Sequence, residues 1–291
     1  MQFLSFKNGG RNGLAVRENG AGFFGLLEGD PNYPGSLDEL VARPASDRYA
    51  AGRALLAGAE IDLASVEVLP PLSSPGKIIC VGLNYRAHAV ESGMQLPEYP
   101  TLFARFPSSL VGGGAPIVRP AESDKLDYEG ELVAVIGKAG RRIAEADALD
   151  HVVGYSIFND GSIRDFQLRT PQWTMGKNFD GTGAFGPTLV TADELPPGAR
   201  GLHLETRLNG QVMQSTSTDD LIFDVASLVS LISVGITLLP GDLIVTGTPS
   251  GVGGARKPPV YMKAGDVCEV EIERLGILRN PVVDDMAAST A

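Results

Sequence analysis

Two glutamates spaced two residues apart, Glu129 and Glu131, sit in the run Asp127-Tyr128-Glu129-Gly130-Glu131. The apolar residues 132–136 that follow read as a β-strand, and in a strand side chains two apart share a face. Asp160 closes a second strand-like run over 152–158 and Asn159. Three carboxylates beside apolar strands repel one another and lose hydration, so the arrangement calls for a cation among them. Oxygen-only ligation with no Cys or His nearby favours a hard divalent ion, Mg²⁺, Mn²⁺ or Ca²⁺. The bland alternative is that both glutamates line a wet strand face.

Four further segments carry candidate chemistry. His88 and Glu91 in GLNYRAHAVE (82–91) share a face if the segment is helical. A carboxylate that orients an imidazole makes a water-activating base, although an exposed ion pair has the same spacing. Lys177 lies among aromatics in WTMGKNFD (173–180). It could steady an oxyanion, form a Schiff base with a keto acid, or merely pair with Asp180. Arg164 and Gln167 in DGSIRDFQ (160–167) could both face an ion held by Asp160. Arg forks well onto a carboxylate or an enolate oxygen, or an Arg164–Asp pair only shapes the loop. The stretch TGTPSGVG (246–253), with Gly247 and Thr248, can hold a carboxylate or phosphate, or serve as an ordinary tight loop. The letters GTGAFG (181–186) match GxGxxG, but that motif must leave a strand and open a helix. Here Pro187 and another strand-like run, 188–190, follow, so nucleotide binding is set aside.

The elements that must position these residues are mostly strands. Residues 78–81, 132–136, 152–158, 202–208, 243–246 and 267–272 are short apolar or alternating runs between Gly and Pro punctuation. Regular βα units are absent, so a β-rich α+β fold is expected rather than a doubly wound sheet. The best helix is 222–231, with Asp219 or Asp220 as cap. Residues 1–72 read as a small separate unit: strands 13–17 and 22–27 around a turn at Asn19-Gly20, then helices 36–41 and 47–58, with Asp47 as cap. A Pro- and Ser-rich linker leads into a second unit, 73–291.

The net charge of −11 argues against a nucleic-acid partner, which needs a basic surface. The start is not read as a signal peptide, and no run reaches membrane-spanning length. The two cysteines, Cys80 and Cys268, read as reduced core residues, which suits a cytoplasmic protein.

Together the segments GLNYRAHAVE (82–91), FARFPSSLVG (103–112), DYEGELVAVIG (127–137), GYSIFNDGSIRDFQ (154–167), GKNFDGTGAFGP (176–187) and TGTPSGVG (246–253) resemble the fumarylacetoacetate hydrolase family over roughly residues 75 to 283. The resemblance implies a mixed β-roll catalytic domain, a homodimer, and one Mg²⁺ or Mn²⁺ per chain. Carried over by motif, Glu129, Glu131 and Asp160 are the metal ligands. His88 and Glu91, on a short lid helix, activate water, and Lys177 steadies negative charge. Arg164, Gln167, Gly247 and Thr248 bind substrate, with Thr248 on its carboxylate. The implied reaction is hydrolysis of the C3–C4 bond of a 2,4-dioxo acid, an acylpyruvate or a 2,4-diketo-3-deoxy sugar acid. It gives a carboxylic acid and pyruvate through a pyruvate enolate whose charge the ion and Lys177 disperse. Oxaloacetate decarboxylation and 2-oxo-dienoate isomerisation or decarboxylation share that enolate logic and stand as alternatives. A non-catalytic ligand-binding protein on the same fold is a further one. The chain departs from the common pattern at Arg105, where lysine is usual, and at Gly161, Ile163 and Thr188. These departures leave the metal set intact and bear on substrate choice.

Overall fold

The computed structural model describes residues 1–18, 20–91 and 95–285. Its backbone is one long mixed sheet with a five-stranded sheet packed against it. From edge to edge the long sheet runs Ala59–Glu60, Phe24–Leu27, Arg11–Arg17, Gln2–Asn8, Gly183–Thr191, Val152–Asp160, Gly130–Ile136, Leu243–Val245, Ile78–Gly82 and Thr101–Arg105. Neighbours along this path are antiparallel, except that Leu243–Val245 runs parallel to Ile78–Gly82. The β-rich α+β expectation holds.

Gly130–Ile136 and Val152–Asp160 are buried along their whole length, as the centre of a two-faced sheet requires. Val133, Val135 and Phe158 face one apolar cluster, and Leu132, Ala134 and Ile157 face another shared with the five-stranded sheet. In that second sheet His203–Leu208 and Val267–Ile272 alternate buried and wetter positions, matching their period-two sequence. The wet face carries a charge ladder in which Arg207 meets Glu205 at 2.6 Å and Glu271 at 2.8 Å.

The segment 181–186 does not open a helix. It leads into and begins the strand Gly183–Thr191, as the sequence indicated.

The helix expected over 222–231 is Val225–Gly235 and starts later than expected. Its cap is Asp224, whose carboxylate accepts from the Ser227 N–H at 2.9 Å. Asp220 is occupied elsewhere, accepting from the Ala87 N–H at 3.1 Å. The helix Ala45–Leu56 opens after Pro44, which places Asp47 inside the first turn rather than at the cap. An acid there still suits the positive end of the helix. In the expected turn at Asn19-Gly20, Asn19 lies outside the described residues.

Residues 1–72, expected as a small separate unit, extend the long sheet. Gln2 and Phe3 pair with Val190 and Leu189. Phe3, Leu14, Leu40 and Leu55 share one apolar cluster with Cys80, Val133 and Val245.

Strand register assembles the acidic cluster. Glu131 faces Phe158, and the Asp160 N–H donates to the Glu129 carbonyl at 2.8 Å. Glu129, Glu131 and Asp160 therefore gather at one end of two paired strands.

Candidate active site

One carboxylate oxygen from each of Glu129, Glu131 and Asp160 lies within 4.8 Å of the other two, and all three residues are buried. Two of the carboxylates are matched by cations. The Lys177 ammonium sits 2.6 Å from Glu129 Oε2 and 2.5 Å from Asp160 Oδ2. Arg164 reaches Glu129 Oε1 at 2.7 Å, and Arg105 reaches Asp160 Oδ1 at 2.6 Å. Among the described residues Glu131 touches no cation and accepts only the Gly247 N–H, at 2.5 Å.

The proton affinities follow this imbalance. Burial pushes the Glu131 carboxyl well above its ordinary value, and the charges of Asp160 and Glu129 push it further. Burial also lifts Glu129, but Lys177 and Arg164 outweigh it and hold the carboxyl low. Burial would lower Lys177, and Asp160 and Glu129 reverse that, so the ammonium stays protonated. A buried all-oxygen cluster with one carboxylate lacking any cation fits a hard divalent ion. Lys177 does not pair with exposed Asp180, as the plainer reading of its segment had it. It belongs to the cluster.

Asp127, the first acid of the run, works differently. It accepts from the Gly253 and Gly254 N–H groups at 2.8 Å each and from Arg164 Nε at 2.7 Å. It thus ties the 246–253 loop and Arg164 to the cluster. Arg164 Nη1 also donates to Gln167 at 2.9 Å, across one turn of the helix Arg164–Gln167. Arg164 Nη2 is buried with no partner among the described residues. A buried N–H group without an acceptor costs about 1–3 kcal/mol, a cost that a bound anion relieves.

Arg105 is fully buried. Besides Asp160 it donates to Ser109 Oγ at 3.2 Å, the Gly161 carbonyl at 3.0 Å and Thr182 Oγ1 at 2.8 Å. It also explains a glycine of the GTGAFG stretch. A Cβ on Gly183 would lie 2.7 Å from Arg105 Nη2, so any side chain there would displace the guanidinium.

The loop residues expected to bind substrate are hydrogen-bonded to the acidic cluster and its strand. The Gly247 N–H is spent on Glu131. Thr248 Oγ1 donates to the Gly130 carbonyl at 3.1 Å and accepts from Gln214 at 2.8 Å. Gln214 in turn accepts from the Gly130 N–H at 3.0 Å, so it pins both sides of this junction. Thr248 still lines the cavity beside the cluster.

His88 and Glu91 lie on the short helix Arg86–Glu91, with His88 Nδ1 3.1 Å from Glu91 Oε2. Glu91 also accepts from the Gly251 N–H at 3.1 Å, latching the helix onto the 246–253 loop. An Nδ1–H donated to Glu91 leaves Nε2 as the basic nitrogen. A cavity of about 400 Å³ brings His88, Glu129, Glu131, Arg164, Gln167, Lys177 and Thr248 to one space. Sequence reasoning missed Arg105, Asp127 and Gln214 as supports. Only the departure at Arg105 hinted at one of them.

The profile of the family described as Fumarylacetoacetate (FAA) hydrolase C-terminal matches residues 77–283. Similar curated proteins include an oxaloacetate tautomerase, fahd2, mitochondrial, from Xenopus laevis. It is 41% identical over 276 residues, spanning 94% of this chain and 86% of that protein. The Homo sapiens oxaloacetate tautomerase FAHD2A, mitochondrial, is 40% identical, spanning 91% and 85%. The names of both relatives place them in mitochondria, where the sequence reading expected a cytoplasmic protein; among the described residues no helix is long and apolar enough to cross a membrane. Among solved structures, a fumarylacetoacetate hydrolase from Exiguobacterium antarcticum superposes with a TM-score of 0.82 at 38% identity, covering 98% of this chain and 99% of that one. A 5-carboxymethyl-2-hydroxymuconate delta-isomerase from Mycobacterium smegmatis gives a TM-score of 0.77 at 32% identity, covering 98% and 100%. Motifs, fold and acidic cluster agree with this: the chain belongs to the fumarylacetoacetate hydrolase family of enzymes.

Proposed function

We propose that the chain interconverts the keto and enol forms of a 2-oxo acid, with oxaloacetate as substrate and Mg²⁺ or Mn²⁺ held by Glu129, Glu131 and Asp160. The carrying observation is that His88, paired with Glu91, lines one cavity with Glu129 and Glu131 of the buried carboxylate cluster. The names of the curated relatives support oxaloacetate over a C–C hydrolysis substrate.

When bound, the ion supplies Lewis acidity to the 2-oxo group. The protein's own groups do the rest. Arg164 Nη2, buried and without a partner, donates to the substrate carboxylate. His88 takes the C3 proton at Nε2, with Glu91 holding the ring at Nδ1. The C3–H electron pair becomes the C2=C3 bond, and the former carbonyl pair moves onto the C2 oxygen. Lys177 donates a hydrogen bond to that oxygen as it gains charge. The proton carried by His88 then passes to it, completing the enol, and the reverse sequence restores the keto form.

The same dyad could activate water against the C4 carbonyl of a 2,4-dioxo acid, the hydrolase reading. A built base favours it over decarboxylation, which needs none. The test follows oxaloacetate enol absorbance and pyruvate release, with Mn²⁺ or with EDTA, on wild type and His88→Ala. Metal-dependent tautomerisation that falls at least 100-fold in the variant is expected (general-base loss is worth roughly 10²–10⁴). Pyruvate released from oxaloacetate at an undiminished rate by His88→Ala would sink the proposal in favour of decarboxylation. Cleavage of acetylpyruvate without oxaloacetate tautomerisation would replace it with hydrolysis.

A further inference from the structure

The cavity is divided by polarity. Its charged groups gather at the carboxylate cluster, and the remaining wall is apolar, chiefly Leu83, Phe103, Leu168, Trp173 and Val252. The apolar part begins close to the chemistry. Lys177 Nζ lies 5.0 Å from the centre of the Phe103 ring, and Phe103 meets the Trp173 indole edge-on at 5.3 Å. Lys177 is already engaged by Glu129 and Asp160, and Arg164 by Asp127 and Glu129. Of the cavity's cationic groups, Arg164 Nη2 alone is buried without a partner among the described residues. Among the described residues, the apolar wall offers no Lys or Arg to the second carboxylate of oxaloacetate. A volume of about 400 Å³ also falls within the range of pockets that enclose drug-sized ligands, more than a four-carbon diacid fills.

Two backbone features hold this wall in place. A Cβ on Gly82 would lie 2.4 Å from Trp173 Cζ3 and 2.7 Å from Cη2, so the indole packs onto bare backbone there. A side chain at residue 82 would drive the indole away from that seat. The next residue, Leu83, adopts φ +56°, a left-handed conformation that a residue with a Cβ adopts at a steric cost. Asn84 fixes this bend, donating to the Thr246 carbonyl at 2.7 Å and the Phe223 carbonyl at 2.9 Å. The strained position thus presents a leucine side chain to the cavity, where glycine or asparagine would relieve the backbone.

We infer that this site takes 2-oxo acids bearing an apolar alkyl or aryl substituent on C4, seated against Leu83, Phe103 and Trp173. The inference rests on the 2-oxo acid reading above and extends its substrate class beyond oxaloacetate. Trp173 and Gly82 act as a pair: the glycine makes room for the indole, and the indole sets the depth of the subsite.

Trp173 is the only tryptophan of the chain, so its fluorescence reports occupancy directly. The experiment titrates the Mn²⁺-loaded wild type with 2-oxobutanoate, 2-oxohexanoate, 2-oxooctanoate and 4-phenyl-2-oxobutanoate, and measures oxaloacetate tautomerisation in parallel. Kd is expected to fall about four-fold per added methylene until the wall is covered. Trp173→Ala, followed by calorimetry, flattens that gradient, and Gly82→Ala shortens the longest chain accepted. Should the Gly82→Ala protein fail to fold, Leu83→Ala tests the same wall. Oxaloacetate turnover with no gain in affinity from 2-oxobutanoate to 2-oxooctanoate would overturn the subsite and leave the tautomerase reading standing. A clear gradient without oxaloacetate turnover would do the reverse.

Discussion

Replacing Arg105 with methionine keeps the length of the side chain and removes the guanidinium that caps Asp160 Oδ1 at 2.6 Å. Both side chains are fully buried, so the variant leaves a carboxylate oxygen without its cation, and three further acceptors, Ser109 Oγ, the Gly161 carbonyl and Thr182 Oγ1, lose a donor. Breaking a buried ion pair from one side costs about 3–5 kcal/mol. For a chain of this size each kcal/mol moves the melting temperature by roughly 2–4 °C, so a drop on the order of 10 °C is expected. Lysine keeps the charge, but one nitrogen cannot serve acceptors spread around a planar fork. Arg105→Lys should therefore melt between the two, about 1–3 kcal/mol below wild type. Because Arg105 also fixes the carboxylate plane of Asp160, Mn²⁺ affinity should fall about 10–100-fold in the methionine variant. Thermal unfolding with and without Mn²⁺, together with a calorimetric Mn²⁺ titration, reads both effects. Arg105→Met melting within 2 °C of wild type, at unchanged Mn²⁺ affinity, would refute the argument.

Glu131→Gln removes the carboxylate that has no cation while keeping an acceptor for the Gly247 N–H. The metal-free protein should be at least as stable as wild type, and the stabilisation by Mn²⁺, about 2.7 kcal/mol at a hundred-fold excess over Kd, should vanish. A melting-temperature rise with Mn²⁺ equal to that of wild type would count against Glu131 as a ligand. The thiols give a pH prediction. Burial pushes Cys80 well above its ordinary value and lifts Cys268 to about 12, the Asn159 hydrogen bond to sulfur only partly opposing it. Both stay neutral in the folded chain, whereas the unfolded chain releases these protons above about pH 8.5. The unfolded state then binds fewer protons, so stability falls as pH rises from about 9 toward 12, by about 1.4 kcal/mol per pH unit for each thiol. Urea unfolding at pH 8 and pH 10 should show this fall, and it should be shallower in Cys268→Ala. Equal slopes in the two proteins would contradict the assignment.

Much of the site was legible because its chemistry is local. Glu129 and Glu131 lie two apart beside a strand, and His88 and Glu91 three apart on a helical turn, so period alone brings each pair to one face. Asp160 could be named from its motif, but its meeting with the glutamates depends on Glu131 facing Phe158 across two strands. Nothing in a one-dimensional sequence states that register, because a slip of one residue would turn Asp160 to the opposite face. The cap of the main helix shows the same limit. Asp219, Asp220 and Asp224 are equivalent by type, and only packing assigns Asp224 to the helix and Asp220 to Ala87.

The sequence by itself determined the β-rich fold class and the pairing of Glu129 with Glu131 and of His88 with Glu91, since these rest on residue type and short spacing, while the family followed from the resemblance of longer motifs. Tertiary structure alone decided that strands within residues 1–72 continue the long sheet, because antiparallel pairing of Gln2 and Phe3 with Val190 and Leu189 joins segments far apart along the chain. It also decided the charge balance of the site. Arg105, Arg164 and Lys177 come from three separate segments, and which carboxylate each one meets, leaving Glu131 without a cation, is a matter of distance in space. Coulomb and desolvation energies depend on that distance and on burial, and neither can be read from order along the chain.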